Sequence, residues 1–355
     1  MKGVAIYLDT LSDGRRAAAR MIDGRLDDIL IDPPEDLGPA LPEAIFLARM
    51  GRQMKGMGGA MVDLAPGLNG FLREAKGLSP GAGILVQVTT ASEAGKAPPV
   101  TRRVLFKSRY AIVTPDRPGI NVSRTIRDEE LRGLLGELGQ QGMEGANDEM
   151  GLIIRSAAAE AGDEEVADDI TRMRSLAEHV LAEQDAPQCL VDAPDAHTLA
   201  WRDWAQPVPD LVDDQDSAFE RGAVWEEISQ AVLPQVPLTG GANMAIEPTR
   251  ALVAVDVNTG PDTSLAAGLK ANVAALRALP GALRLRGLGG QVIIDLAPFP
   301  KRERSQLEQV LKAALRADGS ETNIAGWTPL GHVELQRKRD RRPLKELLSN
   351  VLPDL

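Results

Sequence analysis

Apolar and polar positions alternate from the first residues onward. Gly3–Leu8, Ala17–Ile22 and Leu26–Ile31 carry the alternation of half-buried strands, with Gly14 and Gly24 supplying turns. Asp32–Pro42, rich in proline and acid, reads as a linker. Five short runs follow: Ile45–Gln53, Gly58–Leu64, Gly70–Arg73, Gly83–Thr90 and Arg103–Val113. Their glycine and proline punctuation predicts a small five-stranded barrel. Residues 128–140 and 164–184 have helical periodicity, with Ile154 in a strand between them. Residues 189–217 show little regular pattern, and Phe219–Leu233 looks helical. The last third alternates strand and helix: Ala251–Asp256, Leu265–Ala278, Gln291–Leu296 and Pro300–Ala317, with Gly319 as a stop. The chain is therefore expected to be an α/β multidomain protein, without an internal repeat.

Two of those strands end in a carboxylate. Asp256 closes an apolar run, and Asn258 follows two residues later, on the same face if the strand continues. Asp295 closes the second run. The intervening helix lets the two strands lie parallel and adjacent as one βαβ unit, with both acids at the carboxyl end of the sheet, where ligands bind in open α/β sheets. Two carboxylates and an amide oxygen make a hard, oxygen-rich site suited to Mg²⁺ and, through it, to phosphate. The same residues also serve as turn formers or helix N-caps, and the pattern alone leaves both readings open.

A chain of 355 residues with 43% hydrophobic positions suffices for about two or three domains with a sizeable core. It has no apolar run of roughly 18 residues or more, so no membrane span is expected. Its start reads as no signal peptide. The lone Cys189 allows no internal disulfide or cysteine-rich zinc site, which together suggests the cytoplasm. A net charge of −11 argues against a passive nucleic-acid coat, but a binding groove depends on the local field. Locally, Arg337, Lys338, Arg339, Arg341, Arg342 and Lys345 form a basic cluster, and Lys301, Arg302 and Arg304 begin a helix just after Asp295. Both groups could meet phosphates or simply be solvated faces. Aromatics, at 3%, leave few residues for base stacking.

At these residues the sequence resembles the ribonuclease E/G family. Ala251–Gly260 is similar to the family's strand ending in Asp-x-Asn-Ser/Thr-Gly, and Leu283–Asp295 to its Arg-Leu-Arg-Asp-Leu-Gly-Gly segment with the strand after it. Asn272–Ala275 sits where the family has Asn-x-Glu-Ala, and Gly331–Arg339 resembles Gly-Leu-x-Glu-x-x-Arg-x-Arg. Gly59–Leu72, Val122–Ile126 and Gly151–Ser156 resemble its barrel and Val-Ser-Arg-Arg-Ile motifs and its Gly-x-Ile-Val-Arg-Thr segment, in the family's order. The resemblance covers about residues 45–345.

The resemblance implies an RNase H-like scaffold (1–44 with 188–235), an inserted OB-type five-stranded RNA-binding barrel (45–114) and a 5′-sensor region (115–187). A DNase I-like α/β catalytic domain (236–350) would follow. It implies a Mg²⁺-dependent endoribonuclease acting on single-stranded RNA, with Asp256, Asn258 and Asp295 holding the ion. Arg155 and Ser156 would sense a 5′-monophosphate, Ser156 keeping the hydroxyl of the usual threonine. Phe71 would contact a base, and Arg337, Lys338 and Arg339 the phosphates. The chain departs from the pattern at Met61, where a second phenylalanine is usual, and at Pro298, where a second acid is usual. It also lacks the paired cysteines of a zinc link, so no zinc-linked tetramer is expected, while a homodimer stays open. The alternatives are a non-catalytic RNA-binding or ribosome-maturation factor on the same scaffold, and a Mg²⁺-dependent phosphohydrolase of small substrates.

Overall fold

The computed structural model describes residues 2–54, 56, 58–92 and 95–351. They form two compact units, Met1–Asp32 with Leu211–Leu355, and Pro33–Asp210. The first unit opens with β1 (Val4–Thr10), β2 (Arg16–Ile22) and β3 (Arg25–Ile31), an antiparallel meander in the expected places. Ala17, Ala18 and Ala19 are fully buried, as suits a central strand covered on both faces.

In the second unit, β4 (Ile45–Met54), β5 (Gly59–Ala65), β6 (Leu68–Arg73), β7 (Gly83–Val88) and β8 (Pro99–Thr101) close into a five-stranded barrel. Closure follows because β4 pairs with both β5 and β7, and β8 bridges β6 and β7. Phe46, Met50, Val62, Leu64, Leu72 and Val86 fill its core. The barrel thus exists, but its fifth strand is not Arg103–Val113. That stretch splits into β9 (Phe106–Lys107) and β10 (Ala111–Thr114) of another sheet. Pro99–Thr101 replaces it, because proline is tolerated as the first residue of a strand.

The other sheet has the order β11-β12-β10-β9, with β11 (Gly119–Val122) and β12 (Gly151–Ile154) parallel. Helices α1 (Glu129–Gly142) and α2 (Asp163–Ala182) cover it through Leu135, Val166 and Ile170. The Asp128 carboxylate starts α1 by accepting from the Glu130 and Leu131 amides. The segment 189–217 is more regular than its composition suggests. It carries most of β13 (Gln188–Val191), which pairs with β4, then α3 (Ala196–Asp203) and β14 (Leu211–Asp213).

Strand β14 belongs to the first unit and pairs in parallel with β1. The helix expected over Phe219–Leu233 is two helices, α4 (Ala218–Arg221) and α5 (Val224–Ala231), broken where Ala223 takes φ 51°. Phe219, Val224 and Ile228 pack them on the four-stranded sheet.

A six-stranded sheet follows, in the order β15-β16-β17-β18-β20-β19. Its strands are β15 (Gln235–Pro237), β16 (Asn243–Pro248), β17 (Val253–Asn258), β18 (Gly290–Asp295), β19 (Thr322–Trp327) and β20 (Val333–Arg337). Helix α6 (Leu265–Leu285) crosses from β17 to its parallel neighbour β18, as the βαβ reading expects. It runs beyond Ala278 and through Pro280, because Leu279, Ala282 and Leu283 stay on the buried face. Helix α7 (Arg304–Asp318) packs beside α6, and a short α8 (Leu344–Leu348) ends the described fold. Val253, Val255, Val257, Val292 and Ile294 share a core with both long helices. Alternate residues on β17 and β18, among them Asp256, Asn258, Gln291 and Asp295, are exposed on the opposite face. Among the described residues no helix is long and apolar enough to cross a membrane.

Candidate active site

The parallel register of β17 and β18 sets Asp256 directly beside Asp295. Strand geometry then sends both carboxylates to the polar face. Asn258 lies two residues further along the same face, and its Nδ2 donates to Asp256 Oδ2 at 2.8 Å. Asp295 keeps 63% of its side-chain exposure. The site is therefore open to solvent.

A fourth polar side chain joins this group without having been singled out in the sequence. Ile294 pairs with Val333, so His332, the residue before Val333, comes alongside Asp295. Its Nδ1 lies 3.2 Å from Asp295 Oδ1. The backbone around His332 is fixed by a tight turn, in which Thr328 N donates to His332 O at 2.9 Å and His332 N to Thr328 Oγ1 at 3.1 Å. Two carboxylates with an amide oxygen between adjacent strands fit a hard divalent cation by donor chemistry. Among the described residues, no three His, Cys, Asp or Glu side chains are already gathered as a ligand cluster.

The loop that leaves Asp295 is held from below. Asn272 of α6 is fully buried; its Nδ2 donates to Ala297 O at 2.8 Å, and its Oδ1 accepts from Ala297 N at 2.9 Å. Gly268, one turn earlier, lets the loop approach, since a Cβ there would stand 2.0 Å from Pro298 O. Further along, Arg304 stacks over Trp327 at 3.9 Å from the ring centroid, and Trp327 Nε1 donates to Glu308. Lys301 and Arg302 are exposed, and Arg302 pairs with Glu303.

The basic cluster divides in two. Arg337 is only 2% exposed; it pairs with Asp318 at 2.9 Å and donates to Thr322 Oγ1. Its expected role as a phosphate contact is corrected here: it is an interior ion-pair residue. Arg341 is likewise turned inward onto Asp28, beside Arg284, which bonds Asp27 and Asp318. Burial pushes the Asp28 carboxyl upward, but the Arg341 and Arg284 guanidiniums outweigh it and hold it below the ordinary carboxylate value. Lys338, Arg339 and Lys345 remain exposed.

In the second unit, Phe71 and Met61 are directly paired on neighbouring strands, both half-buried. The Phe71 ring lies over Gly59, where a Cβ would come within 2.6 Å of its Cζ. Arg155 follows β12. Its Nη1 donates to Ser108 O at 2.7 Å and its Nη2 pairs with Asp203 at 2.8 Å. Asp203 also holds Arg202, whose fork grips Glu43. Burial raises Asp203, but bonds from Arg202 and Arg155 leave it below its usual value. Ser156 is half-buried and its carbonyl accepts from Gln206 Nε2. Arg155 thus carries an acid, Asp203, on its guanidinium.

The model of the ribonuclease E/G family matches residues 106–217 and 205–340, more than half of the chain. This chain belongs to that family. It is 29% identical over 321 residues to ribonuclease E of Synechocystis sp., covering 78% of this chain and 47% of that protein. Ribonuclease E of Nostoc sp. is 28% identical over 316 residues, 78% of this chain and 46% of the relative. Ribonuclease G of Escherichia coli is 26% identical over 313 residues, 77% and 63% respectively. The chain thus spans about half the length of the ribonuclease E relatives it matches.

Proposed function

We propose that this chain is an endoribonuclease that hydrolyses internal phosphodiesters of single-stranded RNA, in RNA processing or decay in the cytoplasm. The observation that carries the reading is the side-by-side placement of Asp256 and Asp295 on the polar face of a ribonuclease E/G-family sheet. Asp256, Asp295 and the amide oxygen of Asn258 would hold Mg²⁺. Bound there, the ion would offset charge on the scissile phosphate and make a water molecule more acidic. In the hydrolysis the water's oxygen bonds to phosphorus as the bond to the 3′-oxygen breaks; one water proton passes through solvent to that leaving oxygen, giving a 3′-hydroxyl, and the remaining OH stays on the new 5′-phosphate. Asn258, bonded to Asp256, orients the carboxylate, while Asn272 fixes the backbone beyond Asp295.

In this reading the barrel, residues 45–101, is an OB-type clamp for RNA, with Phe71 against a base, and 115–187 the 5′-end sensor. There, a 5′-phosphate would compete with Asp203 for Arg155, beside Ser156. Residues 1–44 with 188–235 would correspond to an RNase H-like scaffold, and 236–350 to a DNase I-like catalytic domain, which would also serve a homodimer. Pro298, in place of an acid, favours a second reading, a non-catalytic RNA-binding factor. Incubating the purified protein with 5′-monophosphorylated single-stranded RNA, with and without Mg²⁺, separates them. Ion-dependent internal cleavage supports the first, and binding without cleavage the second.

A further inference from the structure

His332 stands in an unusual relation to the acid beside it. Its Nδ1 lies 3.2 Å from Asp295 Oδ1, and the nitrogen is buried from solvent. Among the described residues it has no hydrogen-bond partner, so the close approach to Asp295 lacks hydrogen-bond geometry. A buried ring nitrogen without a hydrogen bond is costly, and one at ion-pair distance from a carboxylate oxygen calls for an explanation. Ligation provides one. Two donor atoms in neighbouring positions of an octahedral ion, each about 2.1 Å from it, stand about 3.0 Å apart, close to the separation seen here. A neutral imidazole supplies such a lone pair.

We propose that His332 is a nitrogen donor of the divalent-ion site, sharing the ion with Asp295, and that the centre takes Mn²⁺ in preference to Mg²⁺. The inference rests on the reading of Asp256 and Asp295 as ion ligands and adds a donor to it. Asp256 Oδ2 accepts from Asn258 Nδ2, so Asp256 joins through its other carboxylate oxygen or through a water, which small divalent ions retain. Imidazole binds first-row transition ions well, whereas Mg²⁺ prefers an all-oxygen shell. The turn at Thr328 and the pairing of Val333 with Ile294 fix the backbone from which the imidazole reaches Asp295.

Pulsed electron paramagnetic resonance of Mn²⁺ added to the full chain, without RNA, tests the proposal on the unmodified protein. A nitrogen-14 coupling of a directly bound imidazole is expected. It should vanish in His332→Leu, where Mn²⁺ affinity by calorimetry falls roughly tenfold and Mg²⁺ affinity falls less. If Mn²⁺ binds the unmodified chain without a nitrogen coupling, and Asp295→Asn abolishes binding, the ion site stands but His332 is no ligand. If neither Asp256→Asn nor Asp295→Asn weakens Mn²⁺ binding, the ion site itself is wrong and this inference fails with it.

Discussion

Asn272 holds Ala297 through both ends of its amide, at 2.8 and 2.9 Å, and is fully buried while doing so. The clamp ties the helix between the two acidic strands to the loop that leaves Asp295. Asn272→Ala should cost about 1–3 kcal/mol, because it leaves the Ala297 amide and carbonyl buried without partners. Denaturant unfolding measures the loss. The variant should also bind divalent ions less tightly, through Asp295; unchanged ion affinity would confine the clamp to stability.

The ion pair of Asp28 with Arg341 makes stability pH-dependent. The folded carboxyl lies below its ordinary value, so its contribution is complete above the unfolded value and is lost as pH falls through the folded one. Asp28→Asn should cost about 3 kcal/mol near neutrality by taking the buried anion away from Arg341 and Arg284. Its acid unfolding curve should be shallower than that of the unmodified chain. Parallel curves from pH 7 to 3 on urea denaturation would remove Asp28 from this role.

Phe71 sits beside Met61, where the family's motif has a second aromatic. Phe71→Ala should weaken binding of a short single-stranded RNA by about 1–3 kcal/mol, the range of one base stack. Met61→Phe should strengthen it, with an unchanged salt slope in both. Fluorescence anisotropy titrations decide; equal affinities across the three proteins would make Phe71 a packing residue.

The two halves of the basic cluster should respond differently. Lys338→Gln with Arg339→Gln should flatten the salt dependence of RNA binding by about 0.7 in log–log slope per lost phosphate contact. Arg337→Gln should lower stability instead, by taking from the buried Asp318 one of the two arginines, Arg337 and Arg284, that hold it. Melting curves and titrations at several salt concentrations separate these outcomes, and an unaltered slope in the double variant would return Lys338 and Arg339 to a solvated face.

The parallel acidic strands were legible because each is an apolar run with a helix between them, and such a unit has few topologies open to it. The inward turn of Arg337 was also readable in principle. Val333, Leu335 and Arg337 share one face of a strand with a period of two, but the basic run after them hides the alternation. His332 was not legible. It reaches Asp295 because β20 inserts between β18 and β19, and pairing between strands distant in sequence leaves no local mark. The barrel's fifth strand was missed because its start, Pro98-Pro99, reads as a loop. The ion pairs of Asp28 and Asp318 likewise join residues far apart in the chain, where neither partner signals the other.

If Asp256 and Asp295 together carry nuclease chemistry, both should be needed for internal cleavage of a 5′-monophosphorylated single-stranded RNA, assayed with divalent ion for the unmodified chain, Asp256→Asn and Asp295→Asn. Ion-dependent cleavage by the unmodified chain is expected, with a loss of at least about 100-fold in either variant, a transition-state cost of about 2.7 kcal/mol, and unchanged melting curves. Cleavage by either folded variant at the unmodified rate would take the chemistry away from these two acids.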